Sequence, residues 1–194
     1  MSGLEIVLLA LGVLALFALL LWSVAQRLDR LHRREIQTRA TLEAQLLRRA
    51  DTATQVAGSD VLDPASSVLV ADAALASMGA PRLVGENLAD EPPADAEQGA
   101  RGAADRGLVE SELTRTLRVA LDATAPDLPA PGPEQIEAVE HLRQMHYRVQ
   151  LARRFHNDAV VQIHRIRGLM LVRLFRLAGY APLPRTFEMD DAPI

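Results

Sequence analysis

The sequence contains no cysteine, and that absence removes disulfides, iron–sulfur clusters, thiol nucleophiles and cysteine-ligated zinc together. Lysine is missing too. All 21 basic residues are arginine, a usage that with the abundant alanine reflects GC-rich coding rather than function. Aromatic residues make up only 4% of the chain although 49% is hydrophobic, so any core must be assembled from leucine, valine, isoleucine and alanine. Strands favour aromatic and β-branched side chains while helices favour leucine and alanine, so this balance points to an all-α fold. Familiar catalytic signatures are also lacking: no glycine-rich phosphate loop, no G-x-S-x-G elbow and no H-E-x-x-H pair.

What the sequence does have is a long apolar run. Residues 6–25, IVLLALGVLALFALLLWSVA, carry no charge for twenty positions, about the length a helix needs to cross the hydrocarbon of a bilayer. A helix satisfies its own backbone in lipid, and Trp22 suits the headgroup level. The competing reading is a cleaved signal peptide, because Ser23-Val24-Ala25 has the small-x-small form of a cleavage site. Against it, residues 1–5 hold Glu5 and no arginine, and the run exceeds the usual h-region of about 7–15 residues. Arg27, Arg30, Arg33 and Arg34 follow the span and no arginine precedes it. The positive-inside rule therefore puts the N-terminus outside and residues 26–194 in the cytoplasm, on the cytoplasmic (inner) membrane.

Beyond the span, Leu28, Leu31, Leu42, Leu46, Ala53 and Val56 are separated by sums of three and four, so residues 26–57 form a helix with one apolar stripe. Seven arginines against three acids leave residues 26–50 with a charge of +4. Such a stretch is drawn to anionic lipid by about 1 kcal/mol per arginine, or is simply a solvated face that sets topology. A short helix is expected from Asp63-Pro64, with Asp63 as N-cap and Pro64 in the first turn, ending at Gly79 and Pro81. Eight glycines and prolines then lie between Gly79 and Gly107, with acids dominating from Glu86. That composition predicts a disordered acidic insertion. Helix is expected to resume at Leu108, where Leu113, Leu117 and Leu121 step by four. A long helix follows over 134–167, with Ile136, Val139, Leu142, Val149, Ala152, Val160 and Ile163 as its apolar side. GLMLVRLFRLAGY, from Gly168, reads as a further amphipathic turn and helix, and 181–194 as a tail.

The histidines give no metal signature. His141 and His146 are five apart and His156 and His164 eight apart, and no acid at a third or fourth position completes a ligand set. Residues 141–176 hold eight arginines against Asp158. Scattered round the helix and with only three aromatics among them, too few for the interleaving that stacks on bases, they speak against nucleic acid and for neutralisation by the acidic segment 86–106. His156, Asn157 and Asp158 are the one trio from which an enzyme site could be imagined, yet consecutive helical residues diverge.

The last fifty residues carry a pattern. The run QLARRFHNDAVVQIHRIRGLMLVRLFRLAGYAPLPRTFE resembles the C-terminal part of the LemA family through His156-Asn157, Val160, Ile163-His164, Gly179-Tyr180 and Phe187-Glu188. EAQLLRRAD at 43–51, with Arg48 and Arg49, is similar to the family's Gln-Leu-x-Arg-Arg stretch after the membrane helix. The family's Tyr-Asn pairs are here His156-Asn157 and Ile163-His164, and its Phe-Pro is Met170-Leu171. The resemblance implies an anchored bundle of long antiparallel helices and supplies no catalytic residues. Together these readings describe an N-terminal transmembrane helix, a helical bundle and a disordered acidic insertion. They lead to a single-pass scaffold or interaction protein that is not an enzyme. It is expected to use no cofactor or metal and to bind the lipid bilayer and protein partners, or itself through its helices. No nucleic acid and no small-molecule substrate are expected. The alternatives are a cleaved, exported helical protein and an enzyme with a site near His156. Arg48, Arg49 and Asn157 are read as packing or capping residues.

Overall fold

The computed structural model describes residues 3–83, 95–122, 132–175 and 183–194, with the backbone alone for Ile6, 95–100 and Leu171. The fold is all-α, and no strand occurs among the described residues. Its helices are α1 (Gly3–Ala57), α2 (Pro64–Gly79), α3 (Asp95–Asp122), α4 (Pro133–Arg167) and a five-residue α5 (Met170–Leu174).

Helix α1 runs without a break from the apolar stretch into the bundle, as expected of a segment rich in leucine and alanine and free of proline. In its first half, twelve large apolar side chains from Leu4 to Trp22 are exposed. By length and composition this half is able to cross a membrane. From Leu28 onward the helix is a core element. Leu28, Glu35, Leu42, Arg49 and Val56 recur every seventh residue and are all buried. The chain leaves α1 through Gly58 and through Asp60, which adopts a positive φ of 56°. Aspartate tolerates that conformation better than most residues. Asp63 then caps α2 as its sequence indicates, Oδ1 accepting from the amides of Ala65 (3.0 Å) and Ser66 (3.1 Å).

Contacts fix the directions of the helices. Arg49 meets His146, Ser59 and Asp60 accept from Gln135 and Phe17 meets Phe175, so α4 runs antiparallel to α1. Ser77 and Ala80 meet Glu110 and Arg106, which makes α3 antiparallel to α2 and parallel to α1. On α4, Leu142, Val149, His156 and Ile163 also recur at sevens and are buried. Apolar burial is concentrated in two clusters. One surrounds Ala53, Val56, Leu62, Val70, Leu113, Leu117 and Leu142. The other joins Leu42, Leu46, Val149, Ala152 and Phe187. Each fully buried leucine stabilises by roughly 1.5–3 kcal/mol.

Several expectations need correction. Helix resumes at Asp95, not Leu108. Alanines at 96, 100, 103 and 104 are strong helix formers, and averaging composition over 79–107 hid them. Part of the acidic insertion is therefore helix; the rest, 84–94, lies outside the described residues. Ile136 is 56% exposed, because it lies on the outer face of α4 beside Glu137 and Glu140, while Ala138 and Val139 face the core. The final helix is α5 as far as it is described, and Gly179 lies outside.

The tail is part of the structure. Helices α3 and α4 touch each other little directly, and residues 183–194 lie between them. The Asp190 amide donates to Ser111 Oγ on α3 (2.8 Å), while Arg153 on α4 meets Asp191 (2.7 Å) and Glu188 (3.5 Å). This described α4 arginine is thus neutralised by the tail rather than by the segment 86–106, of which Glu86, Asp90 and Glu91 are outside the described residues. The tail approaches so closely that a Cβ at Gly107 would overlap the Glu188 carbonyl oxygen. Gly107→Ala is therefore expected to push the tail out of its groove, read as faster carboxypeptidase release of the C-terminus. Gly102→Ala, whose Cβ would meet nothing nearer than Pro81 Cβ at 4.0 Å, should digest like the native chain.

Candidate functional site

Seven-residue spacing puts two polar side chains, Glu35 and Arg49, on the buried stripe of α1. Arg49 is 0% exposed. An uncompensated charge there would cost many kcal/mol, so it has to be met by an opposite one. Glu110 of α3, also fully buried, accepts from Arg49 Nη2 through Oε2 at 2.6 Å. Arg49 Nη1 donates to Thr114 Oγ1 at 2.9 Å and points at His146 Nδ1 at 3.3 Å.

The second oxygen of Glu110 is used as well. Oε1 accepts from Ser77 Oγ at 2.7 Å and lies 2.8 Å from Arg106 Nε. The Arg106 N–H is not well aimed at it, so that contact is ionic rather than a good hydrogen bond. Arg106 Nη1 donates to the Ala80 carbonyl at 3.0 Å, beyond the end of α2, and Nη2 lies 3.7 Å from Glu43. Glu43 Oε2 in turn accepts from the Leu83 amide at 3.0 Å. Two arginines and two glutamates thus balance in charge and tie α1, α2, α3 and α4 together at one level.

Electrostatics follow from this enclosure. Burial lowers the Arg49 pKa from its ordinary value, while the Glu110 carboxylate opposes the shift. His146 is lowered by burial first and then by the charge of Arg49. Since arginine can only donate, Nδ1 of His146 must offer a lone pair, and a protonated ring would lose that contact. His156 and His32 are also lowered, each chiefly by burial.

A second polar layer lies closer to the apolar half of α1. Arg39 grips Glu35 with two hydrogen bonds, each 3.0 Å, and the Glu35 charge reaches His156. His156 Nε2 donates to the Arg185 carbonyl at 3.2 Å, while its buried Nδ1 has no hydrogen-bond partner. One helical step on, Asn157 pairs with the Phe187 backbone in both directions, Nδ2 donating at 3.1 Å and Oδ1 accepting at 2.8 Å. His164 donates to the Pro184 carbonyl at 2.8 Å.

Of the residues singled out from sequence, Arg49 lies in the central cluster and Arg48 is exposed on the outside of α1. His156, Asn157, His164 and Phe187 line the seam between α4 and the tail, and Val160 is buried on α4. Asp158 is exposed, so His156, Asn157 and Asp158 do diverge. Arg106, Glu110, Ser77, Glu43 and Glu35 join the two polar layers without belonging to any motif in the sequence. A signal existed: Arg49 sits on the stripe Leu42, Leu46, Ala53, Val56, and Glu110 and Arg106 extend the stripe Leu113, Leu117 backwards in steps of three and four.

Chemically, the charges of the central cluster are balanced by its own members, and Arg49, Arg106, Glu110 and Thr114 are closed to solvent, although Arg49 Nε, Arg106 Nε and Nη2 and Glu43 Oε1 make no hydrogen bond. Among the described residues no group of three or more His, Asp or Glu side chains is placed to hold a metal ion. A shallow open depression beside Glu134, Glu137, Glu140 and His141 is formed by α4 alone. No protein-family model, no curated protein and no solved structure matches the chain.

Two outcomes are expected. Glu110→Gln leaves two buried arginines facing Glu43 alone and should cost about 3–5 kcal/mol, the usual loss on breaking a buried pair. Adding Arg49→Met restores the charge balance, so the double variant should unfold at higher denaturant than Glu110→Gln by itself. The second outcome concerns pH. A histidine whose folded pKa lies below its unfolded value near 6.5 binds its proton more readily in the unfolded chain. Stability is then fully present above that value and falls as pH drops below it. Denaturation midpoints should therefore decrease between pH 7.5 and 5.5, and His146→Gln should flatten that slope.

Proposed function

We propose that this chain is a membrane-anchored helical scaffold, held by the apolar half of α1 in the cytoplasmic membrane with its N-terminus outside, and offering helix faces to protein partners. The observation that carries the reading is the continuity of α1. The helix whose first half exposes twelve large apolar side chains becomes, without interruption, the central helix of the bundle. In water such a surface would be a severe liability; in lipid it is the ordinary exterior of a span. The arginines at 27, 30, 33 and 34 support the orientation.

The partner half of the reading is supported by α4, where Tyr147, Leu151 and Phe155 form an exposed apolar row at steps of four. The similarity to LemA proteins adds an anchored bundle of antiparallel helices as the expected plan. In this reading Arg49 and Asn157 act through structure: one closes the bundle and the other holds the tail.

Because the native chain has no cysteine, single substitutions report sidedness cleanly. Gly3→Cys should react with an impermeant maleimide in intact cells, and Thr41→Cys only after permeabilisation, with the protein resisting alkaline extraction. A mature chain starting at Gln26 in the soluble fraction would contradict the anchor and favour the exported alternative. Photo-crosslinkers at Tyr147 and Phe155 should give discrete adducts in cells. A freely diffusing monomer without adducts would sink the scaffold reading.

A further inference from the structure

The chain does not end its descent where α4 stops, at Arg167. Beyond Arg167 the chain turns at Gly168, whose amide donates to the His164 carbonyl at 3.0 Å, and continues through α5. Phe175 reaches Phe17, with ring centroids 5.5 Å apart and planes at 67°, an edge-to-face contact. Phe17 lies eight residues inside the run that ends at Ala25, which at about 1.5 Å per residue places it roughly 12 Å along the helix from that end. Accordingly Phe17 is only 38% exposed, whereas Leu16 and Leu19 on either side are about 60% exposed.

The short segment has two sides. Val172 is buried at 2%, facing the protein. Leu169, Met170, Leu174 and Phe175 are all exposed, Met170 at 86%. A five-residue helix with such an exterior has no stabilising reason to face water. Above it lie the exposed arginines Arg27, Arg30 and Arg34 of α1 and Arg165 near the end of α4, a collar that the proposed anchor would bring to the headgroup side of the span. Arg173 lies within the segment and is long enough to snorkel its charge upward to the same level.

We infer that residues 169–175 are a second membrane-embedded element, a wedge seated in the leaflet that surrounds the bundle-proximal end of α1, beneath an arginine collar that meets lipid phosphates. The inference rests on the proposed anchor, since the wedge is at membrane depth only if the run of α1 is. Its occupant is lipid because the exposed face is continuous with the span through Phe17 and Phe175, and because the charges flanking it are predominantly basic, the one exposed acid, Asp29, being paired with Arg33. The bundle therefore stands directly on the bilayer rather than hanging from a free stalk.

The test uses the full chain reconstituted in vesicles of phosphatidylcholine and phosphatidylglycerol, with a polarity-sensitive fluorophore on a single cysteine. The three positions are Met170→Cys in the wedge, Leu14→Cys in the span and Thr41→Cys on the bundle, all exposed sites where folding is not at stake. Brominated lipids should quench positions 170 and 14 strongly and leave position 41 bright. Strong quenching at 14 with position 170 as bright as 41 would overturn the wedge and leave the anchor standing. A bright label at 14 would overturn the anchor and the wedge with it.

Discussion

The buried pair between Arg49 and Glu110 is the constraint around which the bundle closes. Hydrophobic contact alone would let α3 slide or rotate against α1, because leucine and alanine stripes tolerate many registers. A guanidinium with no exposure does not. It must find its carboxylate, and the carboxylate must have its other oxygen met by Ser77 and Arg106. Once Arg106 reaches the carbonyls beyond the end of α2 and Glu43 holds the Leu83 amide, the relative heights of α1, α2 and α3 are set. Such a cluster need not add net stability over an apolar core; the costly change is to remove one partner and leave the other charge buried alone.

The tail plays a comparable part on the other side. With α3 and α4 touching little, a groove between them would expose backbone and apolar surface. Phe187 fills part of it, Asn157 satisfies the Phe187 amide and carbonyl, and Gly107 gives the Glu188 carbonyl room to pass. Four helices and an extended strap together make the closed unit. His146 stands where the strap and the ionic cluster meet, and its neutral state is held by burial and by the neighbouring Arg49.

Much of this was legible in the sequence and some was not, for physical reasons. The apolar run, the Asp63 cap, the stripe from Leu28 to Val56 and the long helix over 134–167 follow from local spacing, which a single segment expresses by itself. The start of α3 was missed because glycine and acids around 84–107 diluted an alanine-rich stretch that is helical from Asp95. Arg49 was noticed only as one of a basic pair, although its place on an apolar stripe implied burial. Its partner Glu110, sixty-one positions away, belongs to tertiary structure and has no local signature. The strap was invisible for a similar reason: an extended segment without periodicity announces nothing about the groove it occupies.

One helix carries the apolar run into a bundle locked by the Arg49–Glu110 cluster. Hydrogen exchange on the full chain in lipid nanodiscs tests this arrangement most directly. Unbroken protection is expected along α1 from the apolar run through residue 57, with residues 106–117 of α3 among the slowest amides to exchange. Rapid exchange at residues 25–34, or an α3 that exchanges freely while α1 and α4 stay protected, would contradict it.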